Sequence, residues 1–269
     1  MDKVVRGLKS STKSLNQCCR LEEKVAIVTA SSQGIGFAVA QRLAQEGAKV
    51  IICSRKEANV NSAVDKLKTK GYEVSGITCH VGVDEDRKKL LNEAISKYGG
   101  LDILVLNAAV NPSIGPVLEC SEAVWDKIFE INVKSTFLMM KESLPLLKKS
   151  KSPSIIIMSS IAGYQPFDML GVYSISKTTL LSLCKITAQE LARDGIRVNC
   201  IAPGVIKTKF SNFLHNSEAA SEMIIATIPM QRFGIPEEIG SVAAFLASSD
   251  ASYITGETIV AGGGIKSRL

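Results

Sequence analysis

From Lys24 onward, short apolar runs rich in β-branched residues alternate with longer stretches whose apolar positions recur at helical spacing. The runs at 24–30, 49–53, 73–79, 102–106, 154–159, 197–202 and 257–261 are nearly continuous in apolar residues. That is the pattern of strands covered on both faces rather than one. Helices are predicted over 35–46, 57–70, 84–98, 121–149, 172–193 and 236–247, with Ser121 placed as an N-cap. Seven strands joined by right-handed helical crossovers predict a doubly wound α/β fold, a parallel sheet with helices on both faces. No long linker or repeat divides it, so 22–266 is predicted to be a single domain behind a basic extension at 1–21.

Composition narrows the class without changing that picture. Apolar residues make up 46% of the 269 and charged residues 22%, enough for a sizeable core. The net charge of +6 is spread along the chain, with no basic block interleaved with aromatics, so no nucleic-acid partner is predicted. The seven cysteines are odd in number and form no Cys-x-x-Cys pair, which predicts reduced thiols. With only His80 and His215, no metal site is predicted. No apolar stretch is long enough to span a bilayer. The extension sets Lys3, Arg6, Lys9, Lys13 and Arg20 against the single acid Asp2, which fits a targeting segment or a loosely docked tail.

The chemistry sits at the ends of the predicted strands. After the first, Ala30, Ser31, Ser32, Gln33, Gly34, Ile35 and Gly36 form a turn that opens a helix. Its glycines let the backbone approach a pyrophosphate, and the helix start supplies N–H groups, so a dinucleotide-binding Rossmann unit is predicted. After the second strand, an acid would bind the ribose 2′-hydroxyl of NAD; here Ser54, Arg55 and Lys56 suit a 2′-phosphate, hence NADP(H). Asn107, Ala108 and Ala109 end the fourth strand with small side chains that let a loop pack against adenine or ribose. Pro203, Gly204, Ile206 and Thr208 follow the sixth, where backbone groups and a hydroxyl can seat a nicotinamide carboxamide.

Tyr173 and Lys177 are spaced i,i+4, on one helix face. A free phenol has a pKa of about 10, and a neighbouring ammonium is expected to lower it. That makes Tyr173 a candidate general acid/base for a carbonyl oxygen. Ser160 can donate to the same oxygen, although a strand-end serine by itself is a turn former. Asn132, a polar residue on an otherwise core-like helix, must satisfy its amide structurally or by holding a water linked to Lys177.

In this order (glycine turn, Asn-Ala-Ala, Asn, Ser, Tyr-x-x-x-Lys, Pro-Gly) the chain resembles the short-chain dehydrogenase/reductase family from Leu21 to Gly264. The resemblance implies a catalytic tetrad at Asn132, Ser160, Tyr173 and Lys177. Tyr173 would give the proton, Ser160 would hold the substrate oxygen, Lys177 would bind the nicotinamide ribose, and Asn132 would order a relay water. Two departures stand out. Ala30 replaces the glycine that usually follows Thr29, and Cys79-His80-Val81 replaces the segment whose Asp usually touches adenine, which puts the contacts of His80 and Val81 in doubt. More narrowly, Cys79-His80-Val81, Asn107–Pro112, 251–257 and the terminal Ser267-Arg268-Leu269 are similar to peroxisomal NADP-dependent carbonyl and retinal reductases of that family. This implies a small carbonyl substrate, a homotetramer and a peroxisomal import receptor as partner, the last tripeptide resembling Ser-Lys-Leu. Mitochondrial or cytoplasmic residence stays open, as do a 3-oxoacyl thioester or hydroxysteroid substrate and a non-catalytic scaffold. Apolar Tyr164, Phe167, Met169 and Leu170 suit a hydrophobic substrate without choosing among these. Leu180, Leu181, Leu183 and Ile186 are expected to form part of a subunit contact.

Overall fold

Each apolar run forms a strand in the structure, a computed structural model that describes residues 19–212 and 217–267. The strands are β1 (Val25–Val28), β2 (Lys49–Ser54), β3 (Val74–Thr78), β4 (Ile103–Leu106), β5 (Ser154–Met158), β6 (Arg197–Pro203) and β7 (Thr258–Ala261). All pairs are parallel, in the order 3-2-1-4-5-6-7. The helices are α1 (Gly34–Gln45), α2 (Glu57–Lys68), α3 (Asp84–Tyr98), α4 (Glu122–Phe129), α5 (Ser135–Leu147), α6 (Gly171–Leu191), α7 (Glu218–Ala226) and α8 (Pro236–Ala247).

Alternation along the strands divides the core in two. Ala26, Val28, Val50 and Ile52 face α1, α2 and α8 through Val39, Leu43, Leu67 and Ile239. Val25, Ile27, Ile51 and Cys53 face α3, α5 and α6 through Leu90, Met139, Leu180 and Cys184. Full burial of an aliphatic side chain stabilises by about 1.5–3 kcal/mol, and this double layer explains why the runs show no polar alternation. Strand order reverses between β1 and β4, which opens a crevice at the carboxyl ends where ligands of such sheets bind.

The structure departs from the sequence reading in three places. The single helix expected over 121–149 is interrupted by a π-turn at Glu130–Lys134, although the flanking residues keep helical dihedrals. A helix at Glu218–Ala226 was not predicted. Arg20 and Leu21, placed in the extension, belong to the folded body: Arg20 pairs with Glu46 and Asp250, and Leu21 is buried. The rest of the extension up to residue 18, and Arg268 and Leu269 of the terminal tripeptide, lie outside the described residues. Among those described, no helix is long and apolar enough to cross a membrane.

Candidate active site

A cavity of about 750 Å³ runs along the carboxyl ends of the strands. One end begins at the turn after β1, whose geometry explains its residues. Gly34 sits at φ +59°, a left-handed conformation natural to glycine. A Cβ on Gly36 would come within 2.5 Å of the Ala30 carbonyl and of Asn107 Nδ2. Asn107 is fixed there because Nδ2 donates to the carbonyls of Thr29 and Ala30, both at 3.1 Å. Ala30 itself is left-handed, φ +49°, so the glycine missing from the sequence was suited to a conformation that this chain still adopts. The start of α1 thus meets the cavity through exposed main chain, a fit to a diphosphate.

Of the predicted cofactor residues, Ala30, Ser32, Gln33, Gly34, Ile35, Gly36, Ser54, Arg55, His80, Val81, Asn107, Ala108, Ala109, Pro203, Gly204, Ile206 and Thr208 line this cavity. Two do not. Ser31 is buried, donating to the Val28 carbonyl at 2.6 Å and accepting from Cys53 N at 3.1 Å, so its hydroxyl ties β1 to β2. Lys56 is exposed at the N-cap of α2, one residue past the cavity wall. His80 Nδ1 accepts the Gly82 N–H at 3.1 Å, and Asp86 accepts from the His80 main chain, so the loop is folded on itself.

At the cavity's other end stand Ser160, Tyr173 and Lys177. Ser160 caps the turn after β5, its Oγ accepting from Ala162 N at 3.1 Å. Helix α6 is held against that turn by Ser159 Oγ, which donates to the Lys177 carbonyl at 2.8 Å, and by Thr178 Oγ1, which donates to the Gly163 carbonyl at 2.8 Å. Lys177 is 2% exposed; its Nζ donates to the Met158 carbonyl at 2.8 Å and stands 5.5 Å from the Tyr173 ring centroid. Burial drives this lysine down to about 8.

The expected lowering of the tyrosine pKa is not found. Burial pushes the Tyr173 phenol up to about 12, against a smaller downward pull from the neighbouring Ser160 hydroxyl. The reason is that the ammonium is turned to a main-chain carbonyl and is itself poorly solvated. A phenol in this state is protonated at neutral pH, the form a proton donor needs.

Asn132 lies at the centre of the π-turn, fully buried. Its Oδ1 accepts from Val110 N at 2.8 Å, and Nδ2 donates to the Val110 carbonyl at 3.1 Å and to Ser176 Oγ at 3.0 Å. Ser176 Oγ in turn donates to the Tyr173 carbonyl at 2.6 Å. Both amide hydrogens are therefore spent on joining the loop after β4 to the tyrosine's helix. Sequence reasoning missed Cys79, Lys209, Phe210 and Ile224 as lining residues. Only the clustering of lysines beside Phe210 was visible in the sequence. Phe167 and Leu170 line the cavity as expected, whereas Tyr164 and Met169 do not.

A family model described as enoyl-(acyl carrier protein) reductase matches residues 29–266. The chain belongs to the short-chain dehydrogenase/reductase family. Among relatives, dehydrogenase/reductase SDR family member 4 of Bos taurus is 52% identical over 93% of this chain and 89% of its own length. Tropinone reductase-like 3 of Erythroxylum coca is 49% identical over 97% of this chain and 99% of its own. A solved structure provisionally assigned as a gluconate dehydrogenase, from Agrobacterium tumefaciens, superposes with a TM-score of 0.89. It is 26% identical, covering 94% of this chain and all of that one. The protein is thus an oxidoreductase of this family with a Rossmann-like domain, and both family and fold imply a nicotinamide cofactor.

Proposed function

We propose that the protein is an NADPH-dependent reductase of ketones and aldehydes with hydrophobic substituents. The reading rests on one observation above others: Ser160, Tyr173 and Lys177 share a cavity with the glycine turn and with Arg55. When bound, the nicotinamide supplies a hydride to the carbonyl carbon. Tyr173 donates its proton to the carbonyl oxygen, and the Ser160 hydroxyl holds that oxygen in place. Lys177 would hold the nicotinamide ribose. Asn132 acts through position, fixing Val110 and α6, and a relay water near Lys177 belongs to the same reading.

Arg55 favours NADPH because its guanidinium can pair with a 2′-phosphate while stacking on adenine. Among the described residues, no Asp or Glu lines the cavity to repel that phosphate. The relatives' names, a dehydrogenase/reductase and a reductase-like protein, are consistent with carbonyl chemistry. A retinal-type aldehyde fits the apolar wall of Phe167 and Leu170. Turnover of a carbonyl panel with each cofactor tests the reading: NADPH should give a kcat/KM at least about tenfold above NADH, one charge-assisted bond being worth roughly 1.5–3 kcal/mol. Equal values would remove the cofactor assignment, and no turnover with either would remove the reductase.

A further inference from the structure

Four cations line the cavity: Arg55, Lys177, Lys207 and Lys209. In the reductase reading, on which this inference rests, Arg55 serves the 2′-phosphate and Lys177 the ribose. The diphosphate has the main chain of the 32–36 turn and the start of α1. Lys207 and Lys209 are left without a task. Their side chains have no ion-pair or hydrogen-bond partner among the described residues; Lys207 is tied only through its main-chain N–H, to the Gly234 carbonyl at 2.9 Å.

Their place in the chain says what they face. Thr208, between them, packs its methyl beside Gly34, 3.5 Å from where a Cβ would stand, so the segment crosses the cavity at the turn. One residue beyond Lys209, the Phe210 ring lies 5.9 Å from the Tyr173 ring. Lys207 and Lys209 thus flank a segment that runs from the glycine turn to the ring beside Tyr173, and both line the same cavity as Tyr173. In that cavity Phe167, Leu170, Phe210 and Ile224 supply apolar wall. A hydrocarbon body against this wall, with an anion at its far end, satisfies both sets of residues. A neutral hydrocarbon answers the apolar wall alone and makes no use of the two exposed cations at the cavity's edge.

We infer that the enzyme's substrates are apolar ketones or aldehydes that carry a carboxylate, held by Lys207 and Lys209 while the carbonyl lies at Tyr173. The carboxylate takes no part in the reaction: the carbonyl gains a hydride at carbon and a proton at oxygen, and leaves as a hydroxy acid.

The test compares 4-acetylbenzoate with its methyl ester, using NADPH and the full-length protein. The acid should be preferred in kcat/KM by at least about fivefold at low ionic strength, the size of a partly shielded ion pair. The preference should shrink as salt is added. Lys209→Glu and Lys207→Glu should each turn the acid-to-ester ratio toward the ester by at least about tenfold. NADPH affinity, followed by fluorescence titration, should not account for that change. An unmutated enzyme that turns over the ester as well as the acid overturns the inference and leaves the reductase reading standing. So do variants in which acid and ester fall together with NADPH affinity, which would assign the lysines to the diphosphate. If neither compound is reduced while other members of the carbonyl panel are, this inference falls alone; if nothing in the panel is reduced, the reductase reading falls and takes this inference with it.

Discussion

Tyr173 and Lys177 are driven in opposite directions by the same burial, the phenol up to about 12 and the ammonium down to about 8. Desolvation penalises whichever form is charged, the phenolate in one case and the cation in the other. The pH dependence follows from these signs. Tyr173 remains a protonated donor throughout the neutral range, so it adds no limb there. Lys177 loses its cation as pH rises through about 8, well below the ordinary lysine value. The value of kcat/KM for NADPH, which reports the free enzyme, should therefore decline above about pH 8, approaching tenfold per unit. A flat profile from pH 7 to 10 would contradict the role given to this lysine. The same residue acts on stability: its relief from burial is complete above about 10.5, the unfolded value, and is lost as pH falls to about 8. The pairing of Tyr173 with Lys177 was legible in the sequence because i,i+4 spacing fixes a shared helix face. The direction of the shift was not, since desolvation depends on Met158 and the strand packing behind it. Ala30 was legible only as a departure; its left-handed backbone shows that the turn keeps its shape with a residue poorly suited to it.

At the scale of elements, the strands were read within one or two residues, because near-continuous apolar runs have few alternatives in a doubly wound sheet. The π-turn was invisible, since its one extra residue leaves the surrounding apolar pattern helical. Its effect is to place Asn132 where one side chain answers both main-chain groups of Val110 and the Ser176 hydroxyl. Replacing it by alanine strands the N–H and carbonyl of Val110 in a part-buried setting, at a cost of about 1–2 kcal/mol each. Asn132→Ala should thus lower the unfolding free energy by roughly 2–4 kcal/mol in a urea titration and weaken activity along with it. An unchanged denaturation midpoint would mean that the clamp carries no weight. Helix α7, Glu218–Ala226, was missed although Ser217 and Glu218 form a helix-start signal, because its short run of small and apolar residues shows no repeating helical pattern. Here the sequence offered propensity without a pattern of burial.

For the whole molecule, the residues expected at a subunit contact differ in exposure. Leu180 is buried in the core and does not reach a partner, whereas Leu181 and Leu183 are partly buried against it. Ile186 remains exposed, together with Ile175 on the same helix, Phe137 on α5 and Trp125, which stacks on Phe129 in α4. Large apolar groups left in water on three neighbouring helices support a homo-oligomer, with a tetramer proposed from the family. Light scattering at micromolar concentration should return a multiple of the 28.8 kDa chain mass, and a monomer would refute the assembly. Peroxisomal delivery through Ser267-Arg268-Leu269 is likewise proposed, with Arg268 in the place of a lysine. Removing these three residues from a tagged protein should release it to the cytosol, whereas unchanged punctate or mitochondrial staining would put the address elsewhere.

Tyr173→Phe tests the central claim most directly, because it deletes one hydroxyl and leaves the ring beside Phe210 and Lys177 in place. The account predicts NADPH binding within a fewfold of the unmutated protein by fluorescence titration. Carbonyl turnover with saturating NADPH should fall by about 10²–10⁴-fold, the range of general acid catalysis. Near-normal kcat in that variant would show that the proton comes from another group and that this cavity does not perform the proposed chemistry through Tyr173.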